Sequence, residues 1–459
     1  MNIPVHIFKG YDIRGIYPDE INEENIKKIV AAIYSFFKKD KPEDDNSQIV
    51  VGTDMRISSP SLTKTAISTL VNLGASVIDI GIVSTPTFYF AVFNYKYECG
   101  IQITASHNPP QWNGIKIVKK GSNGLLKIGK SMGMEEIENL SLRNTPIPTK
   151  LGGNVTKITG IIEDEVENAL KIVGNPEIKK FKIVADPANA MGSQYIDALF
   201  KRVPQDLVRM NFELDGTFPV HQPDPLQAET LVDLQKRVVE EKADLGLAPD
   251  GDGDRLFFID EKGNIVPPTV ITSIVSSELL KKNQGEIIYV DIRYIFTPQK
   301  IISENGGKME ITRVGHAYIT EAMNKTGGIF AGESSAHYFF RDTGNAESQM
   351  PVILMVLKVL TKLRKPLSEI IEDYRRSYES GEINFKTSNT QQIMNLLKDK
   401  YKDGNLDTID GVAINYPDWR FSIRISNTEP LLRLNVEAYE KAVMERNKND
   451  LLLTIRSMV

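Results

Sequence analysis

ADLGLAPDGDGDRLFFID, residues 243–260, runs from an apolar stretch into alternating aspartate and glycine and out again into a second apolar stretch. On a regular strand Asp250, Asp252 and Asp254 would share one face at about 6.6 Å per step, from a rise of about 3.3 Å per residue. Ligands of one Mg2+ can lie at most about 4.2 Å apart. The backbone therefore has to curl, and the interleaved Gly251 and Gly253 are the residues that permit it. Hard carboxylate oxygens in a small loop favour Mg2+ over zinc, and few protein ligands leave coordination positions open to a phosphoryl oxygen. An EF-hand reading competes, with Glu261 at its twelfth position, but Arg255 stands where that loop requires glycine and strands rather than helices flank it. Taken alone, DGDGD would also suit a solvated acidic turn.

The same pattern, an apolar β-branched run with a polar or glycine-bearing end, recurs along the chain. It appears in IVVGTD ending at Asp54, ASVIDIG ending at Gly81, GIQITAS ending at Ser106 and FKIVADP from Phe181. It returns in EIIYVDIR from Glu286, MEITRVGH from Met309 and GIFAGESS from Gly328. Alternation of such runs with helical patterns predicts α/β units on mostly parallel sheets, with ligand sites beyond the carboxyl ends of the strands. A chain of 459 residues exceeds what one core can fill. Breaks fall in the Pro- and Gly-rich stretch 143–154, just after DGDGDR, and near 365–385. The segment INYPDWRFSIRISNTEPLLRLNVEA alternates apolar and polar residues ahead of a terminal helix and predicts a smaller α+β unit. The expected division is 1–150, 151–255, 256–372 and 373–459: three related α/β domains and a different fourth.

Composition narrows the function. The chain is 41% hydrophobic and 25% charged, with a formal charge of -5, and has no apolar run of the roughly 20 residues that a bilayer span needs. No membrane association and no nucleic acid partner are expected from that balance. The opening MNIPVHIFKGYDIRG lacks the features of a secretory signal, so a cytoplasmic location is expected. The single cysteine, Cys99, cannot form an intramolecular disulfide and reads as core packing.

Three further loops carry chemistry. TASHNP closes the run GIQITAS; Ser-His-Asn-Pro alone is most often a polar turn, yet Ser106 offers a hydroxyl nucleophile if a base, a metal or prior phosphorylation activates it. No Gly-x-Ser-x-Gly elbow surrounds it, which argues against a hydrolase triad. GESSAH, residues 332–337, puts a carboxylate, hydroxyls and an imidazole on one loop, a set suited to vicinal sugar hydroxyls as well as to a helix cap. RISNTEP from Arg424, with Arg433 beyond, concentrates guanidinium, hydroxyl and amide donors of the kind that grip a phosphate dianion.

In this order the four loops, with GYDIRG at residues 10–15, NGIK at 113–116 and RVGH at 313–316, resemble the α-D-phosphohexomutase superfamily, in its phosphomannomutase/phosphoglucomutase branch. The resemblance spans essentially the whole chain. It implies four domains around a central cleft, the first three related α/β units with mixed sheets and the fourth similar to a TATA-binding-protein fold. It further implies that Ser106 carries a phosphoryl group and that Ser106, Asp250, Asp252 and Asp254 hold Mg2+. Arg14, Lys116 and His316 match family residues near the reacting oxygens. Arg255, Arg313, Gly315, Glu333, Ser335, His337, Arg424, Ser426, Asn427, Thr428 and Arg433 are the expected substrate contacts. The implied partners are hexose phosphates, with hexose 1,6-bisphosphate as intermediate and activator, and the protein is expected as a monomer or homodimer. Departures are Ser334 where Met is common, Val314 where Thr is common, and Glu229-Thr230-Leu231 after the Pro223-Asp224-Pro225 turn. Phosphoglucosamine mutase is the alternative enzyme, disfavoured by Asn427; a catalytically silent sugar-phosphate binder would have lost Ser106 or an aspartate.

Overall fold

A computed structural model describes residues 3–39, 48–143, 147, 149–425 and 431–458. Four sheets follow one another along the chain. In the first, Gln48–Thr53 runs parallel to Ser76–Ile82 and to Cys99–Ile103, and the chain then turns back antiparallel in Trp112–Lys120. The β-branched run of Gln48–Thr53 is buried at all but its first residue, as expected of a strand covered on both faces. The second sheet orders Leu256–Asp260, Leu245–Pro249, Lys182–Ala185 and Asp206–Arg209. The third orders Lys308–Thr312, Ile287–Asp291, Phe330–Gly332, Tyr338–Phe340 and Ala346–Glu347. Each mixes parallel and antiparallel pairs. The fourth, built on Trp419–Ile425 and Leu431–Ala438, is antiparallel throughout its described pairs. Helices Thr390–Lys400 and Lys441–Arg456 bury Ile393, Leu397, Leu451 and Ile455 against it, making a small α+β domain.

The sheets run past two of the expected boundaries. Asn154–Lys157 adds to the first sheet beside Ser76–Ile82, and Leu256–Asp260 closes a hairpin with Leu245–Pro249 in the second. Pattern explains the local structure: in Glu23–Lys38, Ile26, Ile29, Val30, Ile33 and Phe36 recur at helical spacing and are buried, while the Asn22 side chain caps Asn25 N at 3.0 Å. Among the described residues no helix is long and apolar enough to cross a membrane.

Buried polar contacts join the domains. The first meets the third where Asn324 Nδ2 donates to Leu125 O at 2.8 Å and Leu125 N to Gly344 O at 2.7 Å. The third meets the fourth where the buried Glu437 accepts from Ile295 N at 2.6 Å and from Arg420 Nη1 at 3.1 Å. The first meets the second where Thr87 Oγ1 donates to Glu165 Oε2 at 2.7 Å. Burial, only partly offset by that hydrogen bond, pushes the Glu165 carboxyl from 4.5 up to about 7. A carboxyl raised in the folded state binds its proton more tightly there, so its contribution to stability is greatest below about pH 4.5 and falls away as pH rises towards 7. Glu165→Gln removes that dependence. The variant is expected to match the parent near pH 4 and to exceed it by up to about 3 kcal/mol near pH 8; unfolding midpoints that differ by the same amount at both pH values would contradict it.

Candidate active site

The Ser106 loop grows from Cys99–Ile103, a central strand buried along its whole length. At its end Ser106 adopts φ 49° and is 3% exposed. A non-glycine residue in that region costs about 1–3 kcal/mol and persists only where its surroundings hold it. Here the hold comes from Arg56, fully buried, whose guanidinium donates to Ser106 O at 2.7 Å, Asn108 O at 2.6 Å, Pro109 O at 2.8 Å and Trp112 O at 3.0 Å. Four carbonyls gathered on one cation wrap the loop around it. Arg14 Nη1 reaches Asn108 Oδ1 of the same loop at 2.5 Å, with Asp12 on its other side.

The aspartate loop curls as its spacing requires. Gly253 takes φ 79°, and the three carboxylates offer oxygens within 4.8 Å of one another, all buried. Ser106 Oγ donates to Asp250 Oδ2 at 3.0 Å, across 144 residues of sequence. Lys116 Nζ lies between Asp252 Oδ2 at 2.6 Å and Asp254 Oδ2 at 2.5 Å. Despite its burial, those two carboxylates hold the ammonium well above its ordinary pKa. Burial and the charges of Asp254 and Asp252 push the Asp250 carboxyl upward as well. Among the described residues Asp252 Oδ1 has no hydrogen-bond partner, though it is buried. Crowded hard oxygens with one orphaned acceptor fit a small divalent cation. The EF-hand alternative fails, because Glu261 instead accepts from Ser368 N at 3.0 Å.

Around this centre the GESSAH loop is knitted into a network. His337 Nε2 lies 3.2 Å from Asp254 Oδ1 and Nδ1 lies 2.9 Å from Glu333 Oε2. Burial alone would lower its pKa, but the two carboxylates outweigh burial and raise it to about 9. His316, at the head of helix His316–Thr326, is driven well below 6.5 by burial and by Lys127 and Lys116. Glu333 Oε1 accepts from Gly315 N at 2.8 Å, and Tyr11 donates to Val314 O at 2.9 Å, which fixes the RVGH turn. Val314, the departure from threonine, packs with Ile292 and with Ala413 of the fourth domain. Arg255 Nε lies 4.0 Å from Asp250 Oδ2, and Arg255 Nη1 lies 3.6 Å from Asp224.

Arg313 stands apart. It is exposed, donates to Ile409 O at 3.0 Å and lies over the Tyr318 ring. Arg424 and Arg433 face each other across adjacent strands. Ser426, Asn427 and Thr428 lie outside the described residues.

Several residues that hold the site carry no motif. Besides Arg56, Thr85 Oγ1 donates to Asp252 Oδ2 at 2.6 Å, Gln349 Nε2 to Asp254 O at 2.6 Å, and Arg293 Nη2 to Ser335 Oγ at 3.3 Å. Arg56 and Arg293 had a usable signal, since each stands two residues beyond the carboxyl end of an apolar run, IVVGTD and EIIYVD. Gly251 is needed for the approach of the two loops: a Cβ there would sit 2.3 Å from Ser106 O. Gly251→Ala is therefore expected to push the nucleophile off its carboxylate and to lower kcat about 100-fold, with a small fall in unfolding midpoint. Assay and melting curve together check this; unchanged kcat would mean that the loops have room to spare.

Comparison with known proteins follows the same division of the chain. Residues 5–145, 164–263 and 267–378 match the models described as phosphoglucomutase/phosphomannomutase alpha/beta/alpha domains I, II and III, and residues 382–453 match the C-terminal domain of that family. A phosphomannomutase of Vibrio cholerae is 35% identical over 450 residues, covering 96% of each chain. One from Methanocaldococcus jannaschii is 35% identical over 459 residues, covering 97% of this chain and 96% of its own. The crystal structure of a phosphoglucomutase/phosphomannomutase family protein from Burkholderia thailandensis superposes with a TM-score of 0.88 at 28% identity, covering 99% of this chain and 98% of that one.

Proposed function

The chain belongs to the phosphoglucomutase/phosphomannomutase family and is a phosphohexomutase, and from that premise we propose that it interconverts the 1- and 6-phosphates of glucose and mannose through a phosphorylated Ser106. The observation that carries the reading is the hydrogen bond of Ser106 Oγ to Asp250 Oδ2 at 3.0 Å, beside two more buried carboxylates. The phosphoryl group passes from Ser106 Oγ to the free C6 or C1 oxygen, giving a hexose 1,6-bisphosphate. After that intermediate turns, the other phosphate returns to Ser106.

Asp250, Asp252, Asp254 and a phosphoryl oxygen on Ser106 would hold Mg2+, which supplies neutralisation of charge on the transferring oxygens. Arg255 and Lys116 oppose the same charge from the protein side, and Lys116 is already set between two of the carboxylates. Arg14, bonded to Asn108 of the Ser106 loop, Lys116 and His316 stand as the groups for charge stabilisation and proton transfer beside the reacting oxygens. Glu333 and Ser335 orient the sugar through a pair of vicinal hydroxyls, with Arg313, Gly315 and His337 as further contacts. Arg424 and Arg433, together with Ser426, Asn427 and Thr428, grip the phosphate that is not being transferred. If the C3 and C4 hydroxyls are the ones read, C2 epimers are poorly separated, so both sugars should turn over. We place the enzyme in the cytoplasm, as a monomer or homodimer.

A coupled assay with Mg2+ and catalytic glucose 1,6-bisphosphate tests this on glucose, mannose and glucosamine 1-phosphates. Comparable rates on the first two are expected. Turnover of glucosamine 1-phosphate alone would transfer the assignment to that sugar, and turnover of none would end it.

A further inference from the structure

At the junction of the third and fourth domains, three guanidinium groups converge on one carboxylate. Glu382 Oε1 accepts from Arg433 Nη1 at 3.0 Å and Oε2 from Arg424 Nη2 at 3.2 Å, while Arg293 Nη1 lies 3.8 Å from Oε2. The strand register brings this about. Arg424 is opposite Arg433 in the pairing of Trp419–Ile425 with Leu431–Ala438, and Ile383 is opposite Leu434 on the other flank, which puts Glu382 beside the pair. Like charges directly opposed on neighbouring strands repel, so the arrangement needs an anion to stand. Burial disfavours the Glu382 charge, yet Arg293, Arg424 and Arg433 outweigh it and hold the carboxyl below its ordinary range. The side chains of Arg293 and Arg424 are 6% and 4% exposed and those of Arg433 and Glu382 20% and 23%, so the carboxylate shares the open side of the cluster with Arg433. Among the described residues Arg424 Nε is buried without a bond partner, a donor still available to a second anion.

We propose that Glu382 is an internal stand-in for the phosphate that is not being transferred. It keeps the three arginines in receiving geometry while the cleft is empty, and its charge weakens their grip once a phosphate dianion has entered. The second effect serves the reaction. The bisphosphate has to let go, turn and bind again within one cycle, and an arginine cradle with no competing anion would hold it through that step. Binding that is equally tight in every state lowers KM without raising kcat, and release then limits the cycle. Glu382 is thus a positioning residue that sets the balance between capture and release. This deepens the reading of Arg424 and Arg433 as phosphate ligands and rests on it.

Glu382→Gln keeps the volume and one acceptor oxygen and removes the charge. With glucose 1-phosphate as probe, KM and kcat are each expected to fall about 5-fold, and kcat to become sensitive to solvent viscosity. Glu382→Asp, which keeps the charge, should restore the parental pattern. A merely structural role would raise KM or leave the viscosity response unchanged, and either result in the Gln variant overturns the proposal. Arg424→Ala separates this from the reading beneath it. If it raises KM about 10-fold or more while Glu382→Gln fails to lower KM, only the stand-in role falls. If Arg424→Ala leaves KM unchanged, the arginine cradle and the stand-in fall together.

Discussion

Ser106→Ala is expected to lower mutase turnover by about 10^4-fold or more while the protein stays folded and still binds hexose phosphates. The size follows from the route. In the proposed route the phosphoryl group rests on Ser106 Oγ between catalytic cycles, and each half-reaction either starts from or ends on that oxygen beside Asp250. The fold should survive because the loop is shaped by main-chain carbonyls on Arg56, and alanine presents the same carbonyl at position 106. Three measurements belong together: the coupled rate, the unfolding midpoint, and the intact mass after incubation with glucose 1,6-bisphosphate. The parent should gain one phosphoryl group and the variant none. A variant as fast as the parent would falsify the phosphoserine route, however well the remaining residues were placed.

Lys116→Met should have the next largest effect, and it should show in stability as well as rate. The ammonium is buried between Asp252 and Asp254, so the variant leaves two carboxylates with no cation between them. Removing one partner of a buried ion pair costs about 3–5 kcal/mol. Added Mg2+ supplies replacement charge to the same oxygens, so it should raise the unfolding midpoint of the variant more than that of the parent. With Mg2+ saturating, kcat should still be down by about 10^2–10^3, since the positive group facing the transferring oxygens is gone. An equal response of both proteins to Mg2+ would mean that Lys116 and the ion do not share those carboxylates.

The aspartate loop was legible because its demand is local: three ligands at a spacing of two must curl, and Gly253 with its left-handed backbone shows how. The α/β order was legible for a similar reason, since a buried parallel strand such as Gln48–Thr53 is a nearly continuous apolar run. Domain edges were less so. Asn154–Lys157 is exposed along its whole length, so no hydrophobic pattern marks it as a strand of the first sheet. Thr85 and Glu382 were invisible for a different reason: each is one polar residue in an ordinary string, and its meaning comes from partners 167 and 51 positions away. Arg313 shows the reverse, a residue singled out by its motif whose side chain in this structure engages the fourth domain.

The bond between Ser106 and Asp250 bears on how the enzyme is made. A ribosome delivers the serine long before the acidic turn, and Gly251 must later press against the serine's own carbonyl to complete the pair. A nascent chain that has just finished its first sheet therefore carries the serine without its carboxylate partner, and only the second sheet supplies it.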